Sequence, residues 1–132
     1  MKKYLLMLFL LMSLTSSAQS LTNEGSTYPI YCIVYGYIGW DDELNAIISM
    51  NQKEKMSYLC NMEGQPIAFN SVPQIINYMA KLGWVYVDNV TIQNSLRFIM
   101  KKMVKSDEEA LEKMKIMTKD EIKKARKEKG LD

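Results

Sequence analysis

The sequence predicts a small α+β domain, in which one helix packs on an antiparallel sheet of about four to five strands and a charged helical tail follows. Short runs rich in β-branched and aromatic residues recur between turn signals, which is typical of antiparallel strands. A single amphipathic segment with capping residues at both ends lies among these runs. The chain has 132 residues, of which 48% are hydrophobic and 24% charged, a composition that suits one globular domain.

The first 18 residues have the pattern of a cleaved export signal. Lys2 and Lys3 supply a positive start, an apolar run follows, and small residues end the segment at Ala18. The apolar run of about ten residues is too short to span a bilayer, which takes roughly 20 residues in a helix. We predict cleavage after Ala18, a periplasmic or secreted protein, and no membrane span in the mature chain. The predicted organisation is a signal peptide (1–18), a polar linker (19–27), an α+β domain (28–105) and a charged helical tail (106–132).

Three strands are predicted before the helix. Residues 30–38 are rich in β-branched and aromatic side chains and are apolar on both faces of the predicted strand. Residues 39–42 are predicted as a turn or bulge. Residues 44–50 are predicted as the second strand, although the acids before them also suit a helix start. The third strand is predicted within residues 56–62, before a clear turn at 63–66.

The helix signal is strongest at residues 71–82. Ser71 is a favourable N-cap with Gln74 at the capping-box position, and Gly83 supplies the left-handed residue that ends a helix. The following apolar residues form one stripe at helical spacing: Val72, Ile75, Ile76, Met79 and Ala80. Two strands are predicted after the helix, at residues 84–87 and 96–104, with a turn or bulge at 88–89 between them.

The tail is predicted to be helical. A second capping box at residues 106–109 precedes Leu111, Met114 and Met117, which lie on one side of a helix. The capping spacing recurs at residues 118–121, so the helix is expected to break there and restart over 121–128. Because both apolar stripes are thin, we expect this tail to dock lightly on the domain or to fray.

The predicted helix and the strands after it resemble one type of small bacterial domain. The resemblance rests on Phe69-Asn70-Ser71 through Met79-Ala80-Lys81-Leu82-Gly83-Trp84-Val85-Tyr86-Val87, followed by Leu96-Arg97-Phe98-Ile99-Met100. In such domains a helix ends in Gly-Trp and runs directly into an antiparallel hairpin. With its Ser-Ala-Gln junction after the signal, the chain is also similar to small exported proteins of the gut Bacteroidetes type. The resemblance covers roughly 32 of the 132 residues and implies a fold and an exported setting, but no activity.

The composition disfavours several classes of function. The chain has no histidine, the commonest general base and metal ligand. Without the two signal lysines, 15 basic residues balance 15 acidic ones and are interleaved with them in the tail, which argues against nucleic-acid binding. The acids Asp41, Asp42 and Glu43 lack the alternate spacing of a calcium loop and are interpreted as a solvated turn. We predict a protein without a cofactor or a metal.

Cys32 and Cys60 are the only cysteines, and an exported setting permits a disulfide between them. The bridge is feasible if the first strand pairs directly with the third. If the first three strands form a meander, the two residues are about 9–10 Å apart, beyond disulfide reach. The sequence favours two buried, unreactive thiols over the bridge, and a catalytic cysteine would lack its usual histidine base.

The candidate functional feature is an aromatic strip. Alternation places Tyr31, Tyr35 and Tyr37 on one face of the first strand, and Trp40 follows just beyond it. If exposed, such a strip binds a protein or a saccharide, because aromatic side chains bury a large area at a small cost in conformational entropy. The competing interpretation is that the C-terminal helix or a second copy of the chain covers the strip.

We therefore predict an exported, non-enzymatic binding or interaction module. The alternative is a structural or accessory subunit of an envelope complex or a homo-oligomer. A small hydrolase is a third interpretation, for which the sequence offers no identifiable catalytic set.

Overall fold

The computed structural model describes residues 26–50 and 56–131. The predicted signal peptide, most of the predicted linker and the polar residues between the second and third strands lie outside the described residues. No helix in the described part of the chain is long and apolar enough to cross a membrane.

The described residues form one antiparallel sheet of six strands and two α-helices. The elements are β1 (Tyr28–Ile38), β2 (Leu44–Ser49), β3 (Ser57–Cys60), α1 (Val72–Lys81), β4 (Val85–Ile92), β5 (Ser95–Val104), β6 (Lys115–Thr118) and α2 (Lys119–Glu128). The strand order is β4-β5-β1-β2-β3-β6, and every neighbouring pair is antiparallel. The predicted α+β class is confirmed, whereas the expected four to five strands are too few.

Strand β1 lies inside the sheet, between β5 and β2, and sends alternate side chains to the two faces of the sheet. It pairs with β5 from Tyr28↔Val104 onwards and with β2 through Val34↔Ile48. Because side chains alternate along a strand, Cys32 and Val34 point to the face that carries α1, and Tyr35 points to the opposite face. We call these the α1 face and the opposite face.

Helix α1 forms as its capping residues predict. The Ser71 hydroxyl accepts a hydrogen bond from the Gln74 backbone N–H at 3.4 Å, and the Gln74 side chain accepts one from the Asn70 N–H at 2.6 Å. Gly83 ends the helix region with a φ of +95°, which favours glycine. The larger of the two buried clusters joins this helix to the sheet through Val34, Ile48, Leu59, Ile75, Met79, Trp84 and Met100, among others.

The hairpin after α1 differs from its prediction. Strand β4 continues to Ile92, and the expected break appears as a bulge between Tyr86 and Asp88. The chain reverses instead at Gln93 and Asn94, whose φ values are 51° and 63°. Two consecutive residues with positive φ match the twist of the flanking strands in a tight hairpin.

Residues 106–117 form no α-helix, which corrects the prediction for the first part of the tail. Residues Glu108–Leu111 form a short 3₁₀ turn, and β6 then pairs with β3 through Leu59↔Ile116 and Tyr58↔Met117. This pairing satisfies the otherwise open edge of β3 and outweighs the helical spacing of the methionines. The predicted last helix is confirmed as α2, with the Thr118 hydroxyl accepting from the Glu121 N–H at 3.3 Å.

Helix α2 covers part of the opposite face. Ile122 is 0% exposed and packs in a second cluster with Ile47, Tyr58 and Cys60. Tyr35, Trp40 and Met117 border this cluster as partly buried residues. The tail therefore supplies both an edge strand and the cover of β2 and β3.

Candidate functional site: an aromatic cleft

The structure divides the predicted aromatic strip. Tyr37 and Trp40 line one cleft, which we call the aromatic cleft. Tyr35 lies beside it and is covered by Arg97, whose guanidinium carbon is 4.3 Å from the centroid of the tyrosine ring. Tyr31 lies further along β1, opposite Lys101, and is 52% exposed.

The aromatic cleft lies where the end of β1, the 3₁₀ turn Trp40–Asp42 and the start of α2 meet. Its volume is about 340 Å³. It is lined by Tyr37, Ile38, Gly39, Trp40, Asp41, Tyr58, Lys119 and Lys123. Residues far apart in the sequence therefore contribute to one concave surface.

Tyr58 forms the base of the aromatic cleft. It is 4% exposed and makes edge-on contacts with two neighbouring rings. Its ring centroid is 6.4 Å from that of Tyr37 and 6.2 Å from that of Trp40. Desolvation by burial raises the pKa of Tyr58, and its neighbours Tyr37 and Tyr35 add to this shift. The phenol is therefore held in its neutral form, and the cleft presents ring edges and faces with a neutral hydroxyl.

A buried asparagine fixes the position of Trp40. The Asn45 side-chain oxygen accepts a hydrogen bond from the Trp40 backbone N–H at 2.8 Å, and its amide donates to the Ile67 carbonyl at 3.0 Å. Gly39 leaves little room beside it, because an added Cβ would lie 3.0 Å from the Asn45 oxygen and 3.1 Å from the Tyr37 ring, and these side chains would have to shift by a few tenths of an ångström. These contacts hold the backbone of the turn against the sheet at Trp40.

Charged groups surround the aromatic rings. Lys119 and Lys123 come from α2 and make no ion pair with any described residue. Arg126, one turn further along the helix, lies over the Trp40 ring at 5.2 Å. The indole Nε1 is shielded from solvent and has no hydrogen-bond acceptor among the described residues. The cleft therefore combines aromatic surface with two ammonium groups.

The acidic residues predicted to form a solvated turn lie in and just after the short 3₁₀ turn Trp40–Asp42. Asp41 and Asp42 adopt left-handed φ values of 54° and 58° and are exposed, as is Glu43. Across residues 26–50 and 56–131, no three histidine, cysteine, aspartate or glutamate side chains cluster so that they could hold a metal ion.

Cys32 and Cys60 are free and buried. Cys32 belongs to the cluster beneath α1, and Cys60 belongs to the cluster beneath α2. Burial raises the pKa of Cys32 to about 12 and that of Cys60 to about 11. Thiols held in their protonated form are poor nucleophiles.

Sequence reasoning missed four residues of this site: Asn45, Tyr58, Lys119 and Lys123. The two lysines are four residues apart on a predicted helix, so their common face was readable from the sequence. Their position beside Trp40 was not, because it depends on the pairing of β6 with β3, which sets where α2 starts.

Neither a family model nor a curated protein nor a solved structure matches this chain.

Proposed function

We propose that this protein is an exported, non-enzymatic binding module that takes a saccharide in the aromatic cleft. The observation that supports it most is the convergence of Tyr37, Trp40 and Tyr58 in one cleft with two lysines that form no ion pair with a described residue. Aromatic rings pack against the apolar C–H faces of a sugar ring, and polar groups at the rim fix its orientation. A volume of about 340 Å³ suits one small ring-shaped ligand.

The charges favour an acidic saccharide. Lys119 and Lys123 have no carboxylate partner among the described residues, and a ligand carboxylate or sulfate would supply one. Asp41 also lines the cleft and could accept hydrogen bonds from ligand hydroxyls. Since both lysines lie in the first half of α2, the positive end of the helix dipole adds to the same preference.

The lining supports binding over catalysis. Glycoside hydrolysis normally uses two carboxylates placed on either side of the scissile bond. Among the described residues that line the aromatic cleft, Asp41 is the one carboxylate. The described lining therefore has groups that can hold a sugar and supplies one carboxylate where hydrolysis normally uses two.

A glycan array followed by calorimetry tests this proposal. The array carries neutral and acidic oligosaccharides, including galactotriose and its acidic counterpart trigalacturonate. We expect the acidic members to bind more tightly, and we expect Trp40→Ala and Tyr37→Ser to reduce binding of each hit by about tenfold or more. Tyr31→Ser is the matched control, because this tyrosine shares the strand and the face with Tyr37 but does not line the cleft. Binding to no oligosaccharide, or binding unchanged in Trp40→Ala, would contradict the proposal.

A further inference from the structure

Helix α2 leaves half of the opposite face of the sheet uncovered. Its buried anchor, Ile122, packs on β2 and β3, whereas β1, β5 and β4 continue the same face beyond the helix. We call this uncovered part the open face. It consists of Tyr31, Ile33, Val85, Asp88, Val90, Arg97, Ile99, Lys101 and Met103, which alternation and register place on this side of the sheet.

The open face is apolar where a solvated sheet is normally polar. Val85 is 59% exposed, and Met103 is 49% exposed. The strand register places apolar side chains side by side, with Ile33 opposite Ile99 on the neighbouring strand. Antiparallel sheets that face water carry polar residues on that side, and contiguous exposed apolar side chains mark an interaction site. A covering partner is therefore expected.

The charges on the open face identify that partner. Arg97 lies flat over Tyr35, and its Nε is shielded from solvent without an acceptor among the described residues. The Asp88 carboxylate accepts a hydrogen bond from the adjacent Asn89 N–H at 2.8 Å, and no described cation pairs with it. The outer strand thus carries an acid and the next strand carries two bases, Arg97 and Lys101, which is a self-complementary pattern.

Symmetry brings these charges together. Consider a two-fold axis that is parallel to the strands, lies midway between the two stacked sheets and passes over the gap between β4 and β5. It places β4 of one copy over β5 of the other. Asp88 opposes Ile99 on its neighbouring strand, so this operation places Asp88 of one copy over Ile99 of the other. Arg97 and Lys101 lie two residues to either side of Ile99, about 7 Å away along the strand. Each copy then offers one carboxylate between two cations of the other copy.

We propose that a second copy of this chain packs on the β4 and β5 part of the open face and forms a two-fold symmetric dimer. The two sheets lie face to face, about 10 Å apart, with their apolar side chains interdigitated. The dimer covers Val85, Val90 and Ile99 and pairs Asp88 with Arg97 and Lys101 across the interface. The aromatic cleft lies beside α2, outside this contact, so the dimer carries two separate aromatic clefts.

Sedimentation-equilibrium measurements over a concentration series test the dimer on the purified protein. The wild type is expected to dimerise reversibly, and Val85→Lys and Asp88→Lys are each expected to raise the dimer dissociation constant about tenfold or more. Both side chains are exposed, so these variants should keep the far-ultraviolet circular dichroism and the melting temperature of the monomer. Combining Asp88→Lys with Lys101→Asp is expected to restore part of the lost affinity, since the charges are then exchanged. Tyr37→Ser, in the aromatic cleft, is the matched control and should leave the dissociation constant unchanged.

A protein that stays monomeric at every concentration would overturn the dimer. A dimer that Val85→Lys and Asp88→Lys leave intact would also overturn it, because the contact would then lie elsewhere. Added salt separates the two contributions: the charge pairs predict weaker association as the ionic strength rises, and association that strengthens with salt would contradict the pairing of Asp88.

Discussion

Cys32 and Cys60 are both buried, yet they lie on opposite faces of the sheet, with strand β2 between their strands. Strands one and three of a meander are about 9–10 Å apart, and a disulfide requires Cα atoms within about 7 Å. The sheet itself therefore separates the thiols. Each one is protected by a different helix, Cys32 by α1 and Cys60 by α2.

We expect neither thiol to react with a small alkylating reagent such as iodoacetamide in the native protein near neutral pH. Burial holds both in the protonated form, with pKa values of about 12 for Cys32 and about 11 for Cys60. After unfolding in urea, intact mass should show both thiols modified. A native mass that is two hydrogens lighter than the reduced chain, with no labelling after unfolding, would contradict the separation of the two residues.

The raised thiol pKa values also predict that the protein loses stability in alkali. An accessible thiol titrates at 9.0, so the unfolded chain releases these protons before the folded one as the pH rises. The contribution of the two thiols to stability is complete below pH 9.0. It is lost progressively as the pH rises towards their pKa values in the folded protein. Urea unfolding of the wild type and of Cys32→Ala at about pH 7 and about pH 10 should show a smaller decline in the variant. Equal declines would show that Cys32 does not titrate differently in the two states.

Ile122 is expected to be the residue through which α2 stabilises the sheet. It is 0% exposed, whereas the rest of the helix carries mainly charged side chains. Ile122→Ala should lower the free energy of unfolding by about 2–4 kcal/mol. Ile38→Ala is the matched control, because that isoleucine is 62% exposed and should change stability by less than about 0.5 kcal/mol.

The same Ile122→Ala variant gives a second, local signal. Loosening α2 uncovers Cys60 but not Cys32, which lies under α1 on the other face. Alkylation of the native variant should therefore modify Cys60 first. Simultaneous labelling of both thiols would mean that the chain opens as a single unit.

Asn45 is expected to act on the aromatic cleft through Trp40. Asn45→Ala removes the acceptor of the Trp40 N–H and the donor to the Ile67 carbonyl, which should cost about 1–3 kcal/mol of stability. The nuclear magnetic resonance signal of the Trp40 indole should broaden or shift, and affinity for any saccharide found on the array should fall. Asn89→Ala is the control, since that side chain donates to the exposed Tyr86 hydroxyl outside the cleft. Lower stability with an unmoved indole signal would assign Asn45 a structural role only.

The predicted export signal has a direct test in the mass of the exported protein. Cleavage after Ala18 should give a chain that starts at Gln19 in the envelope fraction or the medium. The small residues before this junction are those that signal peptidases accept. Recovery of the full-length chain from the membrane fraction would show that the apolar segment is retained.

Elements whose determinants are local were predictable from the sequence. Helix α1 has its caps at Ser71 and Gly83 and its apolar stripe within twelve residues of each other, so the pattern is complete in one window. Strand β1 was predictable because its β-branched and aromatic residues exclude the helical period. These determinants do not depend on what the rest of the chain does.

Strand β6 was mistaken for a helix because its conformation is set by a distant partner. Met114 and Met117 have helical spacing, but Ile116 and Met117 are needed on opposite faces of the sheet beside β3. The aromatic strip was only partly predicted, because some of the residues around it are brought there by distant strand pairing. Alternation along β1 placed Tyr37 correctly, while Tyr58 and the lysines joined it only through tertiary pairing.

The strand order also has a consequence for how the chain folds. Strand β1 is the first to be synthesised, yet its partner β5 follows only after four other elements, and β3 waits for β6. Both pairings join residues far apart in the sequence, and chains dominated by such contacts fold in milliseconds to seconds rather than microseconds. Until the chain has been made as far as residue 104, β1 cannot form all of its pairs with β5. The sheet therefore closes late in folding, only after β5 and β6 are available to pair.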